Sequence, residues 1–181
     1  LVGEDGRPHV LDFGLARIAR RSELSVSRIT RTGTVTGTPE YMSPEQTLGQ
    51  PEQIDERTDV YSLGVILYEL VTGHSPYRPD DESVFSTMKS IREEEPTPPT
   101  AFSAKVDREL QAILYTALEK DRERRYQTAQ ALKEDLERYV DGLPVSAVPP
   151  SFVYRAKKAL RRNWKTWVPL ATGVVLVAIA G

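Results

Sequence analysis

Asp12 is the first residue of the chain whose setting could do chemistry. It follows the apolar pair Val10-Leu11, which predicts a short buried strand, and it precedes Phe13 and Gly14. The glycine lets the chain turn sharply, so the carboxylate would stand at the end of a strand beside a turn. A carboxylate in that position can ligate Mg²⁺, which bridges phosphate oxygens and offsets their charge. The alternative interpretation is an ordinary Asp-x-Gly turn.

A second group of chemically useful residues lies about thirty positions further on. Residues 37–45 read Gly-Thr-Pro-Glu-Tyr-Met-Ser-Pro-Glu, and many hydroxyl and arginine side chains lie between Asp12 and this group. The intervening stretch has no sustained periodicity, which predicts a loop. A phosphate on one of its hydroxyls would carry about −1.5 to −2 charge and could order the loop by pairing with its arginines. The alternative is a solvated flexible loop.

Helices must position these residues, because helical patterns follow through most of the chain. Residues 58–73 are the most hydrophobic stretch of the globular part, opening with the capping residues Thr58 and Asp59 and ending at Gly73. Apolar side chains surround nearly its whole circumference, which predicts a helix buried on most faces. Three more helices are predicted, one capped by Asp80-Asp81 and running to about residue 94, one over residues 106–118, and one from Thr128 to about residue 142. Residues 1–13 predict a β-hairpin, so the fold class is mainly α with one small hairpin.

Charge divides the chain into two unequal parts. All 26 Asp and Glu residues precede residue 151, whereas the later part carries only cations, namely Arg155, Lys157, Lys158, Arg161, Arg162 and Lys165. A basic block can mark a nucleic-acid surface, but one directly before an apolar run is more often a cytoplasmic membrane flank. With no cysteine and only two histidines, disulfides, cysteine metal sites and a histidine cluster are excluded for this sequence.

The apolar run after the basic block predicts the start of a membrane span. Residues 143–165 are interpreted as a linker and basic juxtamembrane segment, and residues 166–181 as a truncated transmembrane helix. Trp164 and Trp167 lie where interfacial aromatic residues are expected. A span needs about twenty apolar residues, and the run is still continuing at Gly181. The expected location is therefore a single-pass protein of the cell membrane with residues 1–165 in the cytoplasm; the alternative is a buried helix.

Four ordered motifs carry a resemblance to a known family. They are Asp-Phe-Gly at 12–14, Gly-Thr-x-x-Tyr-x-Ser-Pro-Glu at 37–45, Asp-x-Tyr-Ser-Leu-Gly at 59–64, and Arg125 late in the chain. Together they resemble the large, C-terminal lobe of a bacterial eukaryotic-like (Hanks-type) serine/threonine protein kinase of the membrane-anchored kind. The resemblance covers about residues 1–140. It implies a kinase lobe over residues 1–142, with an activation segment at 12–45.

The resemblance also implies an activity and residue roles. Such kinases transfer the γ-phosphoryl group of ATP to protein Ser or Thr hydroxyls with Mg²⁺, here in transmembrane signalling. Asp12 would bind the metal, Thr38 would shape the phosphoacceptor site, and Thr30, Thr32 and Thr34 would be the phosphorylation candidates. Structural support would come from a buried ion pair between Glu45 and Arg125, and from Asp59 holding the backbone of the catalytic loop.

Several parts of a complete kinase are missing from this sequence. It contains no glycine-rich loop, strand lysine, His-Arg-Asp or later Asn ligand, so we interpret it as an internal piece and expect it to be inactive alone. Expected partners are protein substrates, membrane lipid and another copy for trans-autophosphorylation, and not nucleic acid. The alternative function is a pseudokinase or membrane-tethered scaffold that binds a protein partner without catalysis.

Overall fold

The computed structural model describes residues 39–79, 81, 83–149, 151, 154 and 158. These residues form the helices α1 (Pro44–Thr47), α2 (Glu56–Thr72), α3 (Val84–Glu93), α4 (Arg108–Ala117) and α5 (Ala129–Val140), with short 3₁₀ turns at Pro39–Tyr41, Pro51–Gln53, Pro99–Ala101 and Arg122–Arg124. Within this part the fold is helical, as predicted. The predicted hairpin and the proposed membrane segment lie outside the described residues. No helix among the described residues is long and apolar enough to cross a membrane.

Helix α2 lies at the centre of the packing and begins earlier than predicted. Its N-cap is Asp55, whose side chain accepts a hydrogen bond from the backbone N–H of Arg57 at 2.9 Å. Thr58 and Asp59, the predicted capping residues, therefore lie inside the first turn. The helix ends as predicted at Gly73, which adopts a left-handed φ of 74° and donates its N–H to the carbonyl of Glu69 at 2.7 Å.

One face of α2 is exposed, although most of the helix is buried or partly buried as the sequence predicts. Leu63 is 42% exposed, Ile66 is 44% exposed and Leu70 is 78% exposed. These positions recur at helical spacing and form a single apolar stripe. The core of the described structure packs against the opposite side, where Tyr61 and Tyr68 are fully buried.

Helix α4 approaches α2 closely at a glycine. A Cβ atom added to Gly64 would lie 2.9 Å from the Cβ of Ala117. The absence of a side chain at Gly64 therefore sets the distance between the two helices. α4 shows the predicted amphipathic pattern, since Leu110, Ile113 and Leu114 are buried against this core.

The other two long helices, α3 and α5, begin at or near their predicted caps, and only the start of α3 is shifted. Helix α3 starts after Ser83, whose hydroxyl accepts from the N–H of Ser86 at 3.1 Å, rather than after Asp80-Asp81. Helix α5 starts after Thr128 as predicted, with the Thr128 hydroxyl accepting from Ala131 N–H at 3.1 Å. Serine and threonine at these positions satisfy N–H groups that the first helical turn leaves unpaired.

Residues 143–149 pack against the helices, although they belong to the stretch predicted as a linker. Val145 is only 3% exposed and lies in one core cluster with Val60, Ile113 and Leu132. The hydrophobic core therefore extends past the end of α5. Burial of one such side chain contributes about 1.5 to 3 kcal/mol toward holding the segment in place.

Candidate functional site

The end of the predicted activation segment forms the short helix α1 and the turn before it. Ser43 is fully buried and caps α1, accepting from the N–H of Gln46 at 3.4 Å, while its own N–H donates to Gln46 Oε1 at 2.9 Å. This reciprocal capping box satisfies two N–H groups that would otherwise lack partners. It fixes the backbone immediately before Glu45.

Glu45 and Arg125 form the ion pair that the sequence predicts. The two guanidinium nitrogens lie 2.8 and 2.7 Å from the two carboxylate oxygens, and the side chains are 0% exposed for Arg125 and 5% exposed for Glu45. Thr58 donates a further hydrogen bond to Glu45 Oε1 at 2.9 Å. Burial alone would raise the pKa of Glu45, but the hydrogen bonds from Arg125 and Thr58 and the positive charge lower it below its ordinary value.

Arg125 also binds three backbone carbonyls on two different elements. Its Nε donates to Glu119 O at 2.7 Å, and its terminal nitrogens donate to Lys120 O at 3.2 Å and to Arg57 O at 3.1 Å. The guanidinium carbon lies 5.0 Å from the centre of the Tyr61 ring. One side chain thus joins α1, α2 and the turn that follows α4.

The turn before α1 is held on the exposed side of α2. Tyr41 donates its hydroxyl to Glu69 Oε2 at 2.8 Å, and Ser62 donates to the Tyr41 carbonyl at 2.8 Å. The hydrogen bond to Glu69 is the main reason why the pKa of Tyr41 is raised. Tyr41, Ile66, Glu69 and Leu70 line an open depression beside this contact.

A partly buried lysine that the sequence analysis missed lies next to the ion pair. Lys120 Nζ donates to Tyr77 Oη at 2.8 Å and to Ile91 O at 2.5 Å, and it lies 4.0 Å from the centre of the Tyr77 ring. Tyr61 in turn donates to Tyr77 Oη at 3.0 Å. Burial lowers the pKa of Lys120 to about 8 and raises the pKa of Tyr77 to about 12. Lys120 lies in a highly charged run of the sequence, so its partial burial could not be predicted.

Of the remaining predicted site residues, the structure describes only Asp59, which is not part of this cluster. Asp59 is exposed in the first turn of α2. The other five, Asp12, Thr30, Thr32, Thr34 and Thr38, lie outside the described residues. Over the part of the chain that the structure describes, no three His, Asp or Glu side chains are grouped to hold a metal ion. The described cluster is therefore a framework for the activation segment and contains no metal site of its own.

Comparison with known proteins identifies relatives over most of the chain. A family profile described as the protein kinase domain matches residues 1–136. The chain is 40% identical over 147 residues to a probable serine/threonine-protein kinase of Streptomyces coelicolor, covering 81% of this chain and 21% of the relative. It is 43% identical over 138 residues to the serine/threonine-protein kinase PknB of Mycobacterium tuberculosis, covering 76% and 21%. The chain spans about a fifth of the length of these curated relatives.

Proposed function

Because the chain belongs to the protein kinase family, we propose that the protein containing it transfers the γ-phosphoryl group of ATP to Ser or Thr hydroxyls of other proteins. The relatives named above are serine/threonine kinases, which supports this acceptor class. Signalling across a membrane, self-association for trans-autophosphorylation, contact with membrane lipid and inactivity of residues 1–181 alone remain parts of this proposal. The proposed location is the cell membrane, with residues 1–165 on the cytoplasmic side.

The observation that carries the proposal is the buried pair between Glu45 and Arg125. A kinase activation segment must hold its acceptor-facing loop in one geometry, because phosphoryl transfer depends mainly on positioning and charge stabilisation. Here Glu45 ends that segment, and Arg125 lies 80 positions later in the chain. The bidentate contact fixes the end of the segment against the helical core.

The exposed apolar stripe on α2 offers a packing surface for the rest of the catalytic domain. Asp59, Leu63 and Ile66 lie on one side of α2 and are exposed within the described part. Covering this apolar stripe would release water from it, at about 25 cal/mol per Å² of apolar surface. We propose that the catalytic loop packs here and that Asp59 accepts hydrogen bonds from its backbone.

The proposed chemistry uses two residues outside the described part. Asp12 would hold Mg²⁺, which supplies charge neutralisation at the phosphate oxygens when it is bound. Thr38 would hydrogen-bond the catalytic groups and shape the acceptor site. Thr30, Thr32 and Thr34 would receive regulatory phosphate, with nearby arginines as its partners.

Acceptor preference and the role of Thr38 can be tested together. The full-length protein is offered Mg-ATP and three peptides that differ only in having Ser, Thr or Tyr at the acceptor position. We expect phosphate on the Ser and Thr peptides, little on the Tyr peptide, and a loss of at least about tenfold in Thr38→Ala, as removal of one positioned hydrogen bond at a reacting centre commonly gives.

The neighbouring variant Thr36→Ala is the matched control and should retain most of the activity. Equal labelling of the Tyr peptide would refute the acceptor class, and equal rates for Thr38→Ala and Thr36→Ala would refute the role of Thr38. A folded protein that labels no peptide would favour the scaffold function.

A further inference from the structure

The segment after α5 is tied to the helices by a buried carboxylate. Asp135 is 1% exposed and accepts hydrogen bonds from Ser146 N–H at 2.7 Å, Ser146 Oγ at 2.8 Å, Ala147 N–H at 2.9 Å and Tyr126 Oη at 2.8 Å. Burial alone would raise the pKa of Asp135, but these donors lower it. Four donors satisfy the carboxylate, and Arg138 Nη1 lies a further 3.8 Å from its Oδ1, so residues 146–147 are held firmly on α5.

A second contact continues this attachment beyond Pro149 and Pro150. The N–H of Val145 donates to Tyr154 Oη at 3.0 Å, and the Tyr154 N–H donates to Ser151 Oγ at 3.1 Å. Residues 143–149, 151, 154 and 158 are called the C-terminal strap below. Its Tyr154 side chain reaches back to the buried Val145 and so lies next to the helices.

A third contact is an ion pair in an acidic groove. Lys158 Nζ lies 2.5 Å from Glu109 Oε2, and each side chain is only 16% exposed. The groove lies between the start of α4 and the end of α5 and is lined by Asp107, Glu109, Tyr139, Asp141 and Lys158. Burial and the negative charge of Glu109 raise the pKa of Tyr154.

We propose that this acidic groove is a docking surface for the chain's own basic segment, residues 154–165. Charge selects this occupant, because the chain has six cations and no acidic residue after position 150, while Asp107, Glu109 and Asp141 line the groove. The seated Lys158 and the fixed Tyr154 give the segment its register. This inference does not depend on phosphoryl transfer, since it concerns only the surface of the helical lobe.

Docking has a consequence for the segment that follows. The strap leaves the helical lobe in a direction set by Asp135, Val145 and Glu109 instead of acting as a free linker. A second anionic partner, such as an acidic lipid surface, would compete with Glu109 for Lys158 because both bind the same ammonium group. Moving the segment from the groove to that partner would therefore require breaking the ion pair.

Zero-length crosslinking tests the contact directly. The full-length protein is treated with a carbodiimide, which joins a lysine amine to a carboxylate only when the two are in contact, and crosslinked peptides are identified by mass spectrometry. We expect a Lys158–Glu109 crosslink that disappears in Glu109→Gln and persists in Glu134→Gln, because Glu134 is an exposed carboxylate of α5 outside the groove. The inference is overturned if Lys158 forms no crosslink to Glu109, Asp107 or Asp141.

Trypsin cleavage after Arg161 and Arg162 gives an independent measure of docking. We expect about fivefold faster cleavage in Glu109→Gln than in the wild type, as loss of a partly exposed ion pair gives, and an unchanged rate in Glu134→Gln. The charge-swapped double variant Glu109→Lys with Lys158→Glu should restore slow cleavage. Equal rates in the wild type and Glu109→Gln would contradict docking.

Discussion

Arg125 uses every donor that a guanidinium group possesses. Its five N–H groups make five hydrogen bonds, two to the Glu45 carboxylate and three to backbone carbonyls. No other side chain has this planar, permanently charged set of donors, and lysine would supply only three. The Glu45 carboxylate also neutralises the charge of Arg125 inside the core, so neither group is a buried unpaired ion.

Removal of the arginine should destabilise the lobe severely. Arg125→Met leaves the Glu45 carboxylate and three carbonyls without their donor, and we expect a loss of about 3 to 5 kcal/mol in the free energy of unfolding. The control is Lys133→Met, which removes the exposed i,i+4 pair with Glu137 at 3.4 Å and should cost about 0.5 kcal/mol or less. Urea unfolding of the full-length protein measures both, and similar shifts in the two variants would contradict the account.

Lys120 should make the stability of the protein depend on pH. Its folded-state pKa is about 8, whereas a lysine in an unfolded chain titrates near ~10.4. The unfolded state therefore binds more protons between these values, and stability from this group rises with pH from about 8 to about 10. Glu94 and Glu95 favour the charged form, while burial and Arg125 oppose it.

In the Lys120→Met variant, this rise of stability with pH should be absent. The measurement is the urea midpoint at several pH values between about 7.5 and 9, because above this range the tyrosines of the unfolded chain, with a pKa of about 10, begin to ionise and lower the stability. Lys105→Met, which changes an exposed lysine, should retain the wild-type rise. A wild-type midpoint that falls across this range, or a Lys120→Met profile parallel to that of the wild type, would refute the assignment.

At the scale of elements, the crossing of α2 and α4 depends on Gly64. An added methyl group would meet Ala117 Cβ at 2.9 Å and Leu118 Cδ2 at 3.3 Å. Overpacking of this kind costs about 1 to 3 kcal/mol, although the better helix propensity of alanine returns up to about 1 kcal/mol. We therefore expect Gly64→Ala to destabilise the lobe by about 1 to 2 kcal/mol in urea unfolding.

A compensating change distinguishes close packing from other effects of the alanine. Ala117→Gly removes the methyl group that Gly64→Ala would meet, so the double variant should be more stable than the sum of the two single effects predicts. Strict additivity would show that the two positions are not coupled and that helix spacing does not depend on Gly64.

Local sequence signals predicted most element ends, and tertiary contacts decided the rest. Thr128 and Gly73 carry the features that begin and end helices wherever they occur, and both do so here. The start of α2 was misplaced because Asp55 and Asp59 are equally good caps in sequence, and only the first adopts the extended backbone. The packed residues 143–149 were missed because their prolines indicate a linker, whereas Val145 and Asp135 hold them through contacts distant in sequence.

Some residues of the candidate site could be predicted from the sequence, and others could not. The contact between Glu45 and Arg125 could be predicted because it belongs to an ordered set of motifs. Lys120, Tyr77 and Asp135 could not, since a charged or phenolic residue in a polar run carries no local sign that the fold will bury it. One weak signal existed for Asp135, which falls on the inward face of α5 between Leu132 and Leu136.

At the scale of the whole molecule, two exposed features point beyond the described residues. The apolar stripe of α2 is exposed, and the C-terminal strap contacts α4 at Glu109 and α5 at Asp135. We propose that the first supports the catalytic loop and that the second sets the direction of the basic segment. The protein would then be a kinase whose lobe is tied both to its catalytic parts and to the segment that follows.

The central claim is that this lobe belongs to a working kinase with Asp12 as its metal ligand. The most direct test is transfer of labelled phosphate from Mg-ATP by the full-length protein and its Asp12→Asn variant, with modified residues identified by mass spectrometry. The account predicts phosphate on Thr30, Thr32 or Thr34 in the wild type and its loss in the variant. Equal labelling of both proteins, or no labelling of a folded wild type at saturating Mg-ATP, would contradict it.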